Sequence, residues 1–155
     1  MVAAASFLDA FYDDLEGADM VAYSATANAP EKFAGWIADP SNIVTLAEFA
    51  ATGSPIGYSV LIEPDLPIAT GSGDIELKRI YTLSRFHGSG LGNALMDTAL
   101  NDARDMGRSR LLLGVYGKNL RARAFYERHG FTPVGERSFQ VGAAVHRDVV
   151  YARAL

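Results

Sequence analysis

The chain has 155 residues, of which 49% are hydrophobic and 21% charged, and its formal net charge at pH 7 is -4. These values predict one soluble globular domain over residues 1–155, disfavour nucleic acid as a partner and favour a cationic substrate. The absence of cysteine excludes disulfides, thiolate metal ligands and a cysteine nucleophile. Neither a signal peptide nor an apolar run of membrane-spanning length is evident, so we expect a cytoplasmic protein that has no membrane partner.

Two helices and a β-hairpin are predicted before residue 64. An apolar stripe predicts the first helix over residues 6–17, and a proline suited to the N1 position predicts the second over residues 30–38. Strand-like segments at 43–50 and 56–63, separated by a turn containing Gly and Pro, predict the hairpin. Residues 64–73 are predicted to form a loop, which is either a surface connection or part of an acceptor pocket.

A glycine-dense loop follows the next predicted strand. Residues 76–83 have strand-like apolar content, and apolar residues at every fourth position from Leu91 predict a helix that stops at Gly107. Between them, residues 87–92 (HGSGLG) place three glycines at alternate positions, which permits positive φ and close approach of a ligand. Backbone N–H groups that converge at a helix N-terminus suit a phosphate. The alternative is a tight strand-to-helix turn without a ligand.

Other motifs for phosphate binding or catalysis do not fit this loop. The register of Gly90 and Gly92 fails the Gly-x-Gly-x-x-Gly dinucleotide fingerprint, and no Gly-Lys-Ser/Thr ending is present. No Gly-x-Ser-x-Gly elbow supports a Ser-His-Asp triad. The three histidines, which do not share a metal-ligand spacing on one element, lead us to predict no metal.

The second half of the chain is predicted to supply the remaining strands of the sheet. Residues 111–116 form an apolar run typical of a strand buried on both faces and parallel to the strand before the glycine loop. A helix over 119–129 and strands over 131–139 and 145–152, joined around Gly142, complete the chain. The fold class predicted is α/β, a mixed twisted sheet with helices on both faces.

Two stretches resemble the sequence motifs of the GNAT acetyltransferase superfamily. Residues 87–92 resemble its motif A, Gln/Arg-x-x-Gly-x-Gly/Ala, with His87 as a departure at the first position. Residues 119–131 resemble its motif B, Asn-x-x-Ala-x-x-Phe-Tyr-x-x-x-Gly-Phe. The resemblance implies splayed central parallel strands and acetyl-CoA as cosubstrate. It implies that the cofactor is bound by Tyr81, Thr82, Leu83, His87, Gly88, Ser89, Gly90, Leu91, Gly92, Asn119 and Tyr126.

Over residues 42–151 the chain is further similar to the PaiA-type polyamine N-acetyltransferases within that superfamily. This similarity implies direct transfer of acetyl to a polyamine or another small primary amine in a ternary complex, by a monomer or homodimer. Glu48, Asp74 and Glu76 are candidates to attract the cationic acceptor. A protein N-terminus or a lysine is the alternative acceptor.

Two side chains are predicted to be catalytic, Glu76 and Tyr126. A primary amine has an ordinary pKa of about 10.4 and must lose a proton before it attacks a thioester. Glu76 is the candidate general base or acceptor contact; alternatively it is a strand glutamate that pairs with Lys78. By the resemblance, Tyr126 protonates the departing thiolate; alternatively it is a buried tyrosine packed beside Phe125.

Backbone N–H groups at residues 81–83 are predicted, also by the resemblance, to stabilise the thioester oxygen. Asn119 is predicted to bind the cofactor arm, to cap its helix, or to do both. An alternative function of a different class is a non-catalytic acyl-CoA-binding module. The presence of Tyr126 argues against this alternative, whereas the departure from motif A at His87 is compatible with it. A Rossmann unit that binds NAD or ATP is the alternative fold.

Overall fold

In a computed structural model, the described residues are 1–141 and 144–155, without the side chains of residues 139–141, 144 and 146. The helices are α1 Val2–Phe11, α2 Gly17–Ala27, α3 Pro30–Ala38, α4 Leu91–Asp105 and α5 Leu120–Arg128, with a single 3-10 turn at Ser84–Phe86. The strands are β1 Ile43–Phe49, β2 Ser54–Ile62, β3 Asp74–Thr82, β4 Arg110–Tyr116, β5 Thr132–Val141 and β6 Ala144–Ala154.

The six strands form one mixed sheet in the order β1-β2-β3-β4-β6-β5. The central strands β3 and β4 are parallel, and their last paired residues are Glu76 and Leu112. Beyond that pair, β3 continues to Thr82 beside β2, and β4 continues to Tyr116 beside β6. The centre of the sheet therefore opens into a wedge, which confirms the predicted α/β fold with splayed parallel strands.

Side chains of successive residues in a strand point to opposite faces, and both faces of this sheet are covered. Leu111 and Leu113 belong to a core on the side of α4 and α5, whereas Leu112 packs with Leu66 and Val150 beneath the segment before β3. A third cluster joins α1 and α3 to β2. The predicted arrangement of helices on both faces is confirmed, and the wedge opens towards both layers.

The N-terminal helices differ from the prediction. Instead of one helix over 6–17, α1 ends at Phe11 and α2 begins at Gly17. The alanines after Val2 are strong helix formers, which accounts for the early start of α1. Along α2, Met20 is the one residue that is fully buried, so this helix lacks the apolar stripe that reveals helices in a sequence.

The other elements agree with the prediction to within two residues at each end. The helix over 30–38 has the predicted bounds, and α5 begins one residue after Asn119. The predicted join around Gly142 lies outside the described residues. None of the helices in the described ranges is long and apolar enough to cross a membrane.

Candidate active site

A cavity of about 1090 Å³ occupies the wedge between β3 and β4. On one side, here called the glycine-loop side, it is lined by His87, Gly88, Gly90, Gly92, Arg121 and Tyr126. On the other, here called the α1–α2 side, it is lined by Phe7, Phe11, Tyr23, Arg137 and Asp148. Because the lining comes from both faces of the sheet, two molecules can meet in the wedge from opposite sides.

The glycine loop has the backbone conformation that the sequence predicts. Gly88 and Gly90 have φ values of +81° and +90°, in the left-handed region where a side chain is strained. Gly90 is the N-cap of the 15-residue helix α4, which therefore begins at the wall of the cavity. The first N–H groups of a helix have no partner within the helix, and its dipole favours an anion there. The loop thus has the features of a phosphate cradle.

An arginine that the sequence analysis did not single out adds charge to this loop. Arg121, in the first turn of α5, contacts the ring of His87 through its guanidinium group. Burial lowers the pKa of His87, and the adjacent Arg121 lowers it further. His87 is the departure from motif A, and Arg121 lies inside motif B. The position of Arg121 within that motif was the signal that could have identified it.

Tyr126 is buried and lines the cavity from α5. It packs edge-on against Phe125, with ring centroids 5.5 Å apart, so the predicted packing beside Phe125 is present. Burial raises the pKa of its phenol well above the usual value, because the anionic form is poorly solvated there. The hydroxyl is therefore protonated at neutral pH and can donate a hydrogen bond into the wedge.

Glu76, the other residue predicted to be catalytic, does not share the position of Tyr126 at the cavity wall. It is 1% exposed and is not among the residues that line the cavity. One carboxylate oxygen accepts a hydrogen bond from the Asp65 N–H at 2.7 Å, and the other lies 3.2 Å from Nζ of Lys78. The ion pair with Lys78 is the contact given above as the alternative to a catalytic role.

Of the remaining predicted cofactor-binding residues, Tyr81, Thr82 and Asn119 line the cavity. Asn119 caps α5, because its side-chain oxygen accepts a hydrogen bond from the Ala122 N–H at 3.0 Å. Leu83 is not a lining residue, and its N–H donates to the Ile56 carbonyl at 2.9 Å.

Ser89 and Leu91 also lie off the lining of the cavity. Ser89 instead stabilises the glycine loop, since its hydroxyl donates to the Phe86 carbonyl at 2.7 Å.

The acidic residues predicted to attract a cation lie away from the cavity. Glu48 is exposed on the edge strand β1, and Asp74 is bound by Arg110, with its Oδ2 2.6 Å from the guanidinium. The sequence analysis passed over Asp148, which is buried at the wall of the cavity beside Arg137. Asp148 lies within residues 42–151, the stretch similar to the PaiA-type enzymes, but periodicity alone does not mark a buried charge within a strand.

Comparison with known proteins agrees with this architecture. The model of the acetyltransferase (GNAT) family matches residues 8–131. An uncharacterized N-acetyltransferase of Mycobacterium tuberculosis is 38% identical over 124 residues, which cover 80% of this chain and 74% of that protein.

Two solved structures show the same fold at low sequence identity. The PaiA N-acetyltransferase of Thermoplasma acidophilum, in complex with coenzyme A, is 17% identical with a TM-score of 0.80, covering 99% of this chain and 89% of that one. A putative streptothricin acetyltransferase of Bacillus anthracis, in complex with acetyl coenzyme A, is 20% identical with a TM-score of 0.65, covering 79% of this chain and 68% of that one.

Proposed function

The chain belongs to the GNAT acetyltransferase family, and from that premise we propose that it transfers acetyl from acetyl-CoA directly to a small primary amine. The observation that carries this proposal is the cavity in the wedge, which joins an anion cradle on one side to a buried carboxylate on the other. A polyamine, as predicted from the sequence, is one member of this acceptor class. Without a cysteine in the chain, no thiol is available for an acetylated enzyme intermediate, which favours direct transfer.

The residues present fit the cofactor. A pyrophosphate needs backbone N–H groups and positive charge, which the loop with Gly88 and Gly90 and the guanidinium of Arg121 provide at the start of α4. Asn119 would bind the pantetheine arm while it caps α5, as we predicted. When bound, acetyl-CoA supplies an acetyl group activated as a thioester.

Tyr126 would serve as the proton donor to the leaving sulfur. Burial raises the pKa of this phenol, so the hydroxyl keeps its proton and can donate a hydrogen bond to the thiolate as the carbon–sulfur bond breaks. Desolvation is the largest cause that raises the pKa of the neighbouring Tyr81, and Tyr126 lies close enough to raise it further electrostatically. The phenol of Tyr126 is thus protonated in the wedge, where the backbones of β3 and β4 are not paired with each other.

The amine must lose a proton before attack, and Glu76 stays our predicted base or acceptor contact. Since both of its carboxylate oxygens are already engaged, a contribution from Glu76 would act through Lys78 or the Asp65 backbone. Nitrogen then bonds to the acetyl carbon as the carbon–sulfur bond breaks, and the sulfur takes its proton from Tyr126.

Thiol release from acetyl-CoA tests the proposal directly. We expect release that depends on an added amine such as spermidine, and a loss of about 100-fold or more in kcat for Tyr126→Phe with acetyl-CoA binding retained. Tyr151→Phe is the matched control, because Tyr151 is a buried tyrosine outside the cavity whose hydroxyl bonds to Glu127. Acetyl-CoA binding without turnover on any amine would instead favour a non-catalytic binding module.

A further inference from the structure

Asp148 has a hydrogen-bonding capacity that its surroundings do not use. The residue is 3% exposed, and its Oδ2 accepts from Nε of Arg137 at 3.0 Å and lies 2.9 Å from a terminal guanidinium nitrogen. Its Oδ1 is fully buried and accepts no hydrogen bond from the described residues. A buried carboxylate oxygen without a partner is costly, so an ion pair built only for stability would engage both oxygens.

The pair lies where the sheet opens. Asp148 on β6 is opposite Tyr116 on β4 and Arg137 on β5. The guanidinium of Arg137 covers Gly114, where a Cβ atom would come within 2.7 Å of its Cζ. Gly114 is two residues past Leu112, the last residue of β4 that pairs with β3. A glycine at this position therefore makes room for a charged pair beside the wedge.

Among the described residues that line the cavity, Asp148 carries the one buried carboxylate. The other two lining carboxylates, on Asp9 and Asp65, belong to exposed residues. Of the several cationic side chains that line the cavity, Arg79 is bound to the Asn28 side chain and the Ala27 carbonyl, each at 2.7 Å. Tyr23 lies near enough to Asp148 and Arg137 to interact electrostatically with both.

The wall beyond this carboxylate is aromatic. Tyr23 stacks on Phe7 with ring centroids 4.5 Å apart, and Phe11 packs against Tyr116 at 5.5 Å. Aromatic rings accommodate the apolar stem of an amine, and a cation held near their faces is attracted by them.

We propose that Oδ1 of Asp148 accepts a hydrogen bond from the attacking nitrogen of the acceptor, with Arg137 holding the carboxylate in position. This assignment rests on the proposed amine acetyltransferase function. An ammonium bound there loses one proton before attack and a second after the nitrogen–carbon bond forms and the carbon–sulfur bond breaks. One proton ends on the thiol through Tyr126 and the other in solvent. Asp148 thereby positions the amine nitrogen at the wedge.

The test compares two amines on three proteins. Butylamine has one amine and spermidine has several, so a contact to the attacking nitrogen affects both, whereas a contact to a distant ammonium affects spermidine alone. We expect Asp148→Asn to raise the KM and the Kd for both amines, measured on the complex with CoA, by about 10- to 100-fold. Asp65→Asn, which removes a lining carboxylate with an 83% exposed side chain, is expected to change them less than threefold.

Each outcome has a separate meaning. Unchanged KM for both amines in Asp148→Asn, or a loss confined to spermidine, would overturn the assignment while leaving the acetyltransferase function intact. A wild-type protein that binds CoA but acetylates no amine would overturn the proposed function itself.

A third variant guards against misfolding, because Asp148→Asn removes the charge that pairs with Arg137, whose side chain is 21% exposed. The double variant Arg137→Met/Asp148→Leu replaces the pair by apolar side chains, a change that is often neutral for stability. We expect it to bind CoA like the wild type and to lose affinity for both amines. Amine affinity retained in this variant would also overturn the assignment.

Discussion

The two sides of the cavity are encoded in different ways. The glycine-loop side comes from two short stretches, residues 87–92 and 119–126, each of which is a local motif at the start of a helix. The α1–α2 side draws on Phe7, Tyr23, Arg137 and Asp148, which are brought together only by the completed fold. In our proposal, the first side binds the cosubstrate by backbone geometry, whereas the second side recognises the acceptor by side chains from distant elements. A local motif can therefore identify the chemistry of this site while leaving its acceptor open.

The Glu76→Gln variant tests whether Glu76 contributes to either side of the cavity. Of the three further predictions, it has the largest expected effect. Glutamine keeps an acceptor for the Asp65 N–H but loses the ion pair with Lys78, so we expect unfolding free energy to fall by about 1–3 kcal/mol. As the predicted base or acceptor contact, Glu76 should also affect catalysis, so we expect kcat to fall by about 100-fold with an altered pH profile. Denaturant unfolding and thiol-release kinetics measure the two effects, and a kcat that changes less than threefold would contradict the catalytic role and leave Glu76 the ion pair with Lys78 alone.

Two glycine-to-alanine variants sharpen the comparison at the backbone level. At φ +90°, Gly90→Ala should cost about 1–2 kcal/mol of stability and weaken CoA binding by distorting the start of α4. Gly35 lies within α3, with nothing within 4 Å of an added Cβ, so Gly35→Ala should stabilise by up to about 1 kcal/mol. Thermal unfolding and calorimetric CoA titration measure both; equal effects of the two variants would contradict a specific role for the loop.

The smallest effect concerns pH on the glycine-loop side. His87 is faced by Arg121, which lowers its pKa, and by Asp9 and the Thr82 backbone, which raise it, with burial as the largest, lowering influence. A bound pyrophosphate adds negative charge beside this imidazole, so its pKa rises on binding and a proton is taken up. We therefore expect CoA affinity to fall as pH increases through that raised pKa, by up to about tenfold for each pKa unit gained.

The same histidine acts in the opposite sense on the unliganded protein. Because folding lowers the pKa of His87, stability is fully present above the unfolded pKa of about 6.5 and is lost as pH falls through the folded value. His87→Gln should flatten both pH dependences, which calorimetry in buffers of different ionisation enthalpy and thermal unfolding can measure. Proton uptake on CoA binding that persists in the variant would contradict this account.

Elements with a strong local sequence pattern were predicted correctly, whereas a helix without such a pattern was missed. The continuous apolar run 111–116 and the apolar residues at every fourth position from Leu91 are strong local signals, and both elements formed as predicted. Helix α2 was missed because Met20 is its one buried residue, and tertiary contacts rather than an apolar stripe hold it in place.

Within the site, the features that the sequence could not predict also depend on contacts between distant residues. Glu76 was singled out because of its position on β3, although its partners Lys78 and Asp65 could be identified only from the folded loop. The importance of Asp148 depends on its burial, on Arg137 eleven residues earlier and on the missing side chain at Gly114. None of these three properties is a local pattern.

A crystal structure with CoA and butylamine would test the central claim most directly. We predict that the pyrophosphate lies at the N-terminus of α4, that the thiol lies beside the Tyr126 hydroxyl in the wedge, and that the amine contacts Asp148 from the other face. A CoA molecule bound away from the wedge, or a β3–β4 pair that closes beyond Glu76 and Leu112, would contradict the account.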